Sequence, residues 1–402
     1  GRYRQLPWLF LFACSACGYI RYENEGGGAA NEGIPAGVRG FRSRVSVSGD
    51  RVEAAVEQFP LFIGWQENAA LASLLEGNTP QFFATLANDS RLLPSELEHY
   101  DPATGALAFW VLCPELQPGR TVALDLYVDT SGSARDSEVT ELWRRAGIQG
   151  VWHLGEEAQG LEREFHDSSE AQVHGQGGAG VADYLPQRTP SLLGLGQRFD
   201  GGGDLIRFSA GQAAAESGSL SHWLYSEAES GPRIAYYESA GSGSDYNGFG
   251  TGTPQGYEWH SAINDNLTSM GLVWSERNPG INEFTNYVFG TGAPPRGRWS
   301  HVALSWNAQN IRLFIDGVLT QTVASPTTPR ATFTADFRAL GTCKDAAPPN
   351  NNASARARSW HGMIDELQIS ASTREAEWFR LAFANQADPG SFLAIGAFER
   401  VR

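Results

Sequence analysis

His301-Val302-Ala303-Leu304-Ser305-Trp306 alternates apolar with small or polar side chains, Asn307 to Asn310 interrupts the run, and Ile311-Arg312-Leu313-Phe314-Ile315 alternates again. A period of two places every second side chain on one face of a sheet, so the two runs read as the arms of a β-hairpin. Asp316-Gly317 follows, a dipeptide that tolerates positive φ in a tight turn, and Val318-Leu319-Thr320-Gln321-Thr322-Val323 returns as a third antiparallel strand.

The same texture extends over the 402 residues: 46 Gly, 20 Pro and 11% aromatic residues describe a turn-rich chain with bulky strand side chains, and no long stretch sustains a helical period. The fold class expected is all-β, and the length calls for two cores. Alternating or β-branched runs such as Arg44 to Ser48, Phe59 to Ile63, Ala106 to Leu112 and Thr121 to Val128 place a small β-sandwich over 43–146. A larger all-β domain is expected over 147–398.

Around the hairpin, Trp299-Ser300-His301-Val302-Ala303 and Phe314-Ile315-Asp316-Gly317 resemble the hallmark strands of laminin G-like (LamG) domains of concanavalin A-like fold. Gly150-Val151-Trp152-His153-Leu154-Gly155, Asp167-Ser168-Ser169, Gln197-Arg198-Phe199-Asp200-Gly201 and Gly362 to Ser370 occur in the order of the other family motifs, and Trp378 to Phe392 resembles the family ending. The resemblance implies a jelly roll of two antiparallel sheets whose closing strand pairs near the opening one. In the first domain, Phe59-Pro60-Leu61, Leu93 to Glu98 with Tyr100-Asp101, Phe109-Trp110-Val111 and Leu124 to Asp129 resemble the family known as domain of unknown function 2341, which implies no activity.

Arg2 and Arg4 precede an apolar run, Leu6 to Ala13, and then Cys14-Ser15-Ala16-Cys17. The run is well short of the roughly 20 residues that span a bilayer, and it resembles a bacterial lipoprotein signal over 1–17 with Cys17 as the lipidated residue. Residues 18–42, including Gly26-Gly27-Gly28, read as a flexible linker. The protein is therefore expected to be exported and lipid-anchored to a membrane of the cell envelope. Cys113 and Cys343 fall in different domains and are expected as separate buried thiols rather than a disulfide.

A net charge of −15 without any basic run argues against nucleic acid, whose binding needs clustered Lys and Arg to neutralise phosphates. Twelve Trp suit either sandwich cores or sugar-stacking faces, and composition does not separate the two. The candidate ligand-binding rings are Trp259, Tyr236 and Tyr237, with Trp223, Tyr225 and Trp274 in the same set and Trp259 the one expected to be exposed. Structural calcium, implied by the LamG resemblance, is expected at Asp167 and Asp365; the bland alternative is that Asp167 caps a turn and that Asp365 and Glu366 alternate across an edge strand.

Catalysis finds little support in the residues. The glucanases of this fold carry Glu-x-Asp-x-x-Glu, whereas Glu164-Phe165-His166-Asp167-Ser168-Ser169-Glu170 has an extra residue that sends the first Glu to the opposite strand face. Gly175-Gln176-Gly177-Gly178-Ala179-Gly180 matches a dinucleotide fingerprint in letters only, since no helical pattern follows it. The histidines, among them His153, His222, His260 and His301, stand singly, and Gly241-Ser242-Gly243 lies in a Gly/Ser loop rather than a nucleophile elbow. These observations favour a non-catalytic binding or adhesion protein that recognises a glycan or an envelope protein through its second domain. A glycoside-active enzyme of the same fold and a purely structural envelope protein stay open as alternatives.

Overall fold

A computed structural model describes residues 34–133, 135–209, 211–212, 217–228, 233–240, 257–263, 270–276, 293–324, 334–335, 337–344 and 346–401. Cys17, the expected signal segment and the greater part of the expected linker lie outside them.

Two sandwiches form, and the strand pairings that build their sheets are antiparallel. In the first, a sheet running Gly40–Val47, Val122–Asp129, Gln81–Leu86 and Leu92–Leu93 faces a three-stranded sheet of Val56–Trp65, Ala106–Leu116 and Ser95–Asp101. Phe82 meets Tyr100 and Phe109 across the gap, at ring separations of 5.1 and 6.4 Å. Along Ala106–Leu116 both faces are buried: Leu107, Phe109 and Val111 alternate with Ala108, Trp110 and Leu112, and all six are core residues. A strand covered on both sides must be apolar on both.

The second sandwich is the jelly roll that the hairpin pattern anticipates. Its eight-stranded sheet runs Gln187–Ser191, Gly194–Asp200, His361–Ser370, Gly218–Ser226, Trp299–Trp306, Asn310–Ile315 and Val318–Ala324, with Ile148–Trp152 also paired to His361–Ser370. The six-stranded partner sheet runs Met270–Glu276, Tyr257–Ile263, Arg233–Ala240, Phe337–Leu340, Ile206–Phe208 and Gly175–Gly177. Val302 lies opposite Ile315 and Leu304 opposite Leu313, as the alternation requires, and Asp316 and Gly317 make the next turn at φ values of 52° and 74°. The closing strand pairs with the opening one through Leu367 and Trp152. Trp152, Phe199, Leu220, Leu304, Trp306 and Tyr236 fill the space between the sheets.

The C-terminal segment departs from the expected plan. The second domain is expected to run to residue 398, but helix Ala376–Ala387 serves both domains, and Ala394–Ile395 and Glu399–Val401 pair with Gly40–Val47 of the first sandwich. That pairing also draws Gly40 to Arg42, read as linker, into the sheet. Strand Val56–Trp65 is an edge of its sheet, where unpaired peptide groups need partners. The Asn385 side chain supplies them, accepting the Phe62 N–H at 2.7 Å and donating to the Phe62 carbonyl at 2.8 Å. The next residue, Gln386, accepts the Trp223 indole N–H at 2.7 Å on the outer face of the jelly roll. Phe379 packs on Phe314 at 4.7 Å and Trp378 on Phe59 at 5.3 Å, so a single apolar core runs from one domain into the other.

Candidate functional site

Tyr236 and Tyr237 do not form the sugar-facing platform expected of them. Tyr236 points between the sheets, where its hydroxyl donates to Glu238 at 2.6 Å and the Arg338 guanidinium meets the same carboxylate at 2.9 Å. Tyr237, on the other face, is packed against Phe337 and covered by the segment that carries Cys343, Ala346 and Ala347. The rings are 1% and 0% exposed, so neither offers a stacking surface. Trp223 is also buried, behind Phe383 and His301. Trp259 lies opposite Trp274 in the register of their strands, and the side chains of both fall outside the described residues.

Asp167 and Asp365, the expected calcium ligands, lie in separate neighbourhoods, each carboxylate engaged in hydrogen bonds of its own. Asp167 accepts backbone N–H groups from Val151, Ser169 and Val173, each at 2.9 Å, which closes the turn it was read to cap and leaves its carboxylate committed. Asp365 belongs to a different neighbourhood, where one of its oxygens accepts from Ser191 Oγ at 2.7 Å and Leu193 N–H at 3.3 Å. Among the described residues the two do not join in a metal-ligating group. Glu164 is likewise structural, its carboxylate receiving the N–H groups of Gln159, Gly160, Leu161 and Gly177 at 2.7 to 3.1 Å. Gly175–Gly177 is a short strand paired to Ile206–Phe208, which removes the dinucleotide reading.

What the fold does assemble is a buried ionisable cluster where the two domains meet. Strand Ser95–Asp101 brings Glu96 and Glu98, the residue after Ile148–Trp152 is His153, and strand His361–Ser370 brings Asp365 and Glu366. Asp365 and Glu366 are adjacent, yet they do not alternate, and their strand is central in its sheet. The register slips here, with Ser221 opposite Gln368 but Trp223 opposite Asp365, and Glu366 sits at φ 53°. This bulge keeps Ile364 and Leu367 in the core between the sheets and turns both carboxylates outward, toward the first domain.

The His153 imidazole fits between these groups. Its Nδ1 hydrogen-bonds to Glu366 Oε1 and lies 3.5 Å from Glu98 Oε2, while Nε2 lies 3.2 Å from Glu96 Oε2. Trp110 Nε1 donates to Glu98 at 2.8 Å; Trp143 Nε1 and Ser168 Oγ each donate to Glu96 at 2.6 Å. Burial disfavours the charged imidazole, but Glu366, Glu96 and Glu98 outweigh it and hold His153 well above its usual value. Burial, reinforced by Glu366 and Asp365, drives Glu98 well above the carboxylate range, and burial followed by Glu366 pushes Asp365 up to about 8. Glu96 goes the other way: burial opposes ionisation, but His153 and the donors Ser168 and Trp143 hold it below its usual value.

A second feature lies on the outer face of the eight-stranded sheet. Arg198, Met363, Tyr225 and Trp299 stand directly opposite one another across four adjacent strands, and all four are half-buried. The Tyr225 and Trp299 rings meet edge-on at 5.7 Å, and Arg198 carries an ion pair to Glu227 at 2.7 Å.

Residues 200–378 match a laminin G family model described as the concanavalin A-like lectin/glucanases superfamily. The fold of the second domain is a concanavalin A-like jelly roll, on which its sheets and this match agree. The match does not extend to residues 43–146. No curated protein matches the chain. Among solved structures, domain 4 of an extracellular arabinanase from Geobacillus stearothermophilus, in complex with arabinotriose, is 16% identical; the alignment covers 49% of this chain and 80% of that one, with a TM-score of 0.35. The botulinum neurotoxin serotype D binding domain is 14% identical over 60% of this chain, with a TM-score of 0.37, and a Trypanosoma rangeli sialidase is 16% identical over 60%, also at 0.37. The chain spans about half of that neurotoxin domain (52%) and a third of the sialidase (33%).

Proposed function

We propose that the protein is a non-catalytic carbohydrate-binding protein of the cell envelope, and that the Tyr225–Trp299 row is where it holds a sugar. The observation that carries this reading is the half-buried ring pair flanked by the Arg198–Glu227 ion pair, because sugar rings stack on aromatic faces while their hydroxyls bond to charged groups beside them. The lectin/glucanase family match of the same domain supports it. So does the commitment of Glu164 and Asp167, the carboxylates that a hydrolase reading would employ, to backbone N–H groups.

On a broad glycan array the full chain is expected to bind a defined subset of glycans, and Trp299→Ala or Tyr225→Ala to weaken that binding about tenfold, the ~1.4 kcal/mol of one stacked ring. Absence of any glycan bound, or equal binding by the variants, would remove the assignment. Release of reducing ends from polysaccharide by the wild type, lost in Glu164→Gln, would replace it with the enzyme reading.

The envelope location rests on the Leu6 to Ala13 run and Cys17. No helix among the described residues is long and apolar enough to cross a membrane, and in this reading lipid on Cys17 provides the attachment. Cells expressing the chain with labelled palmitate should yield a labelled protein, and Cys17→Ala an unlabelled one; an unlabelled wild type would rule the anchor out.

A further inference from the structure

The geometry points to a divalent transition-metal site of the zinc class, held by His153, Glu98 and Glu366, that fastens the first domain to the jelly roll. One ligand atom from each of these residues lies within 4.8 Å of the other two. Zinc binds imidazole nitrogen and carboxylate oxygen at about 2.0–2.2 Å, which sets neighbouring ligand atoms roughly 3–3.5 Å apart; Glu98 already stands at 3.5 Å from Nδ1, and the ion would take the place of the proton between His153 and Glu366 and spread that pair. Calcium, which takes oxygen ligands almost alone, does not suit a site centred on an imidazole.

Two observations beyond the ligand set support the assignment. The first is the orientation of the ring: Nδ1 faces Glu98 and Glu366, while Nε2 faces Glu96 at 3.2 Å without hydrogen-bond geometry, so that a modest turn of the ring on binding the ion would complete that bond. A metal-ligating histidine ordinarily gives its second nitrogen to a carboxylate, which orients the ring and strengthens it as a ligand. Glu96 is itself fixed by Trp143 and Ser168, and the ligands Glu98 and Glu366 are fixed by Trp110 and, at 3.3 Å, by Gln368. The second is an orphan: Asp365, 0% exposed and turned to the same side as Glu366, has an oxygen, Oδ1, with no hydrogen-bond partner among the described residues. Among the same residues, the ion pairs of Glu96, Glu98 and Glu366 are all with His153. Four carboxyl groups face a single imidazole in this junction, more oxygen donors than one ring can pair with, and a divalent cation is a compact partner for them.

The test uses the full chain, stripped with a chelator and dialysed against zinc alone. Elemental analysis is expected to show about one zinc retained per chain, with a raised thermal unfolding midpoint, as binding to the folded state alone requires. Cobalt(II) in place of zinc should develop the visible bands of a low-symmetry, four- or five-coordinate site in the wild type. His153→Gln and Glu366→Gln should retain no zinc. Glu96→Gln keeps all three ligands and should bind about 10- to 100-fold more weakly, the effect of losing the carboxylate behind a ligating histidine. A wild type that retains no zinc and shows no cobalt bands overturns the proposal, and so does calcium retained in preference to zinc. Zinc retained undiminished by a folded Glu366→Gln overturns it as well. The cobalt spectrum and the Glu96→Gln titration decide the matter even if the other variants fail to fold.

Discussion

Trp110→Ala is expected to destabilise the protein by about 4 kcal/mol or more, which for a chain of ordinary stability removes the greater part of the margin. Trp110 is fully buried, packed at 4.9 Å on Phe62, 5.6 Å on Trp143 and 6.0 Å on His153. Truncating a buried tryptophan costs about 3–5 kcal/mol through lost apolar burial and the cavity left behind. A second cost falls on Glu98, which loses its indole donor inside the junction. Trp110→Phe separates the two, because it fills most of the volume and removes only the N–H. Urea unfolding of both variants measures the effect; a Trp110→Ala midpoint close to the wild type would mean that the junction is not packed as described.

The second large effect is expected at Asn385→Leu, about 3 kcal/mol by the same measurement. Leucine keeps the branched four-atom skeleton of asparagine, with bulkier methyl ends, but cannot bond to Phe62, so a buried N–H and a buried carbonyl on an edge strand both lose their partner. Each orphaned group costs about 1–3 kcal/mol. Because the same helix touches Trp223 and Phe314 of the jelly roll, the loss is expected in a single transition involving both domains. Two resolved transitions, with only the first domain shifted, would show that the shared core does not couple them.

Strand alternation made the jelly roll legible. Trp299 to Val323 carries its own register in the pattern of apolar and polar residues, and the structure pairs Val302 with Ile315 and Leu304 with Leu313 accordingly. Two thiols expected in separate domains lie in separate cores, and burial pushes the Cys113 thiol up to about 12. Helix Ala376–Ala387 was not legible, because it is wedged between two domains and buries Trp378, Phe379, Leu381, Ala382, Asn385 and Gln386 together, which blurs the one-sided stripe that marks a surface helix.

The junction cluster was hidden for a different reason. The sequence shows Glu96 and Glu98 only as parts of a family motif and His153 as a lone strand histidine, since these residues lie on separate strands and the Glu366 partner of His153 is 213 residues away. A local sign did exist. In Ser95-Glu96-Leu97-Glu98 the leucine is 41% exposed while both glutamates turn inward, the reverse of an ordinary half-buried strand. For Tyr236 and Tyr237, alternation shows that adjacent residues occupy opposite faces, but it does not show that both faces are covered.

The left-handed residue at Glu366 also sets the phase of everything that follows it in the closing strand. Upstream the inward positions include residue 364; downstream they are 367 and 369, an odd-numbered series. Removing that one residue would let Ile364, Leu367 and Ile369 alternate regularly on the apolar side, so the layer itself does not need it; what the extra residue adds is a second outward carboxylate beside Asp365. The insertion therefore serves the junction with the first domain and not the filling of the jelly roll.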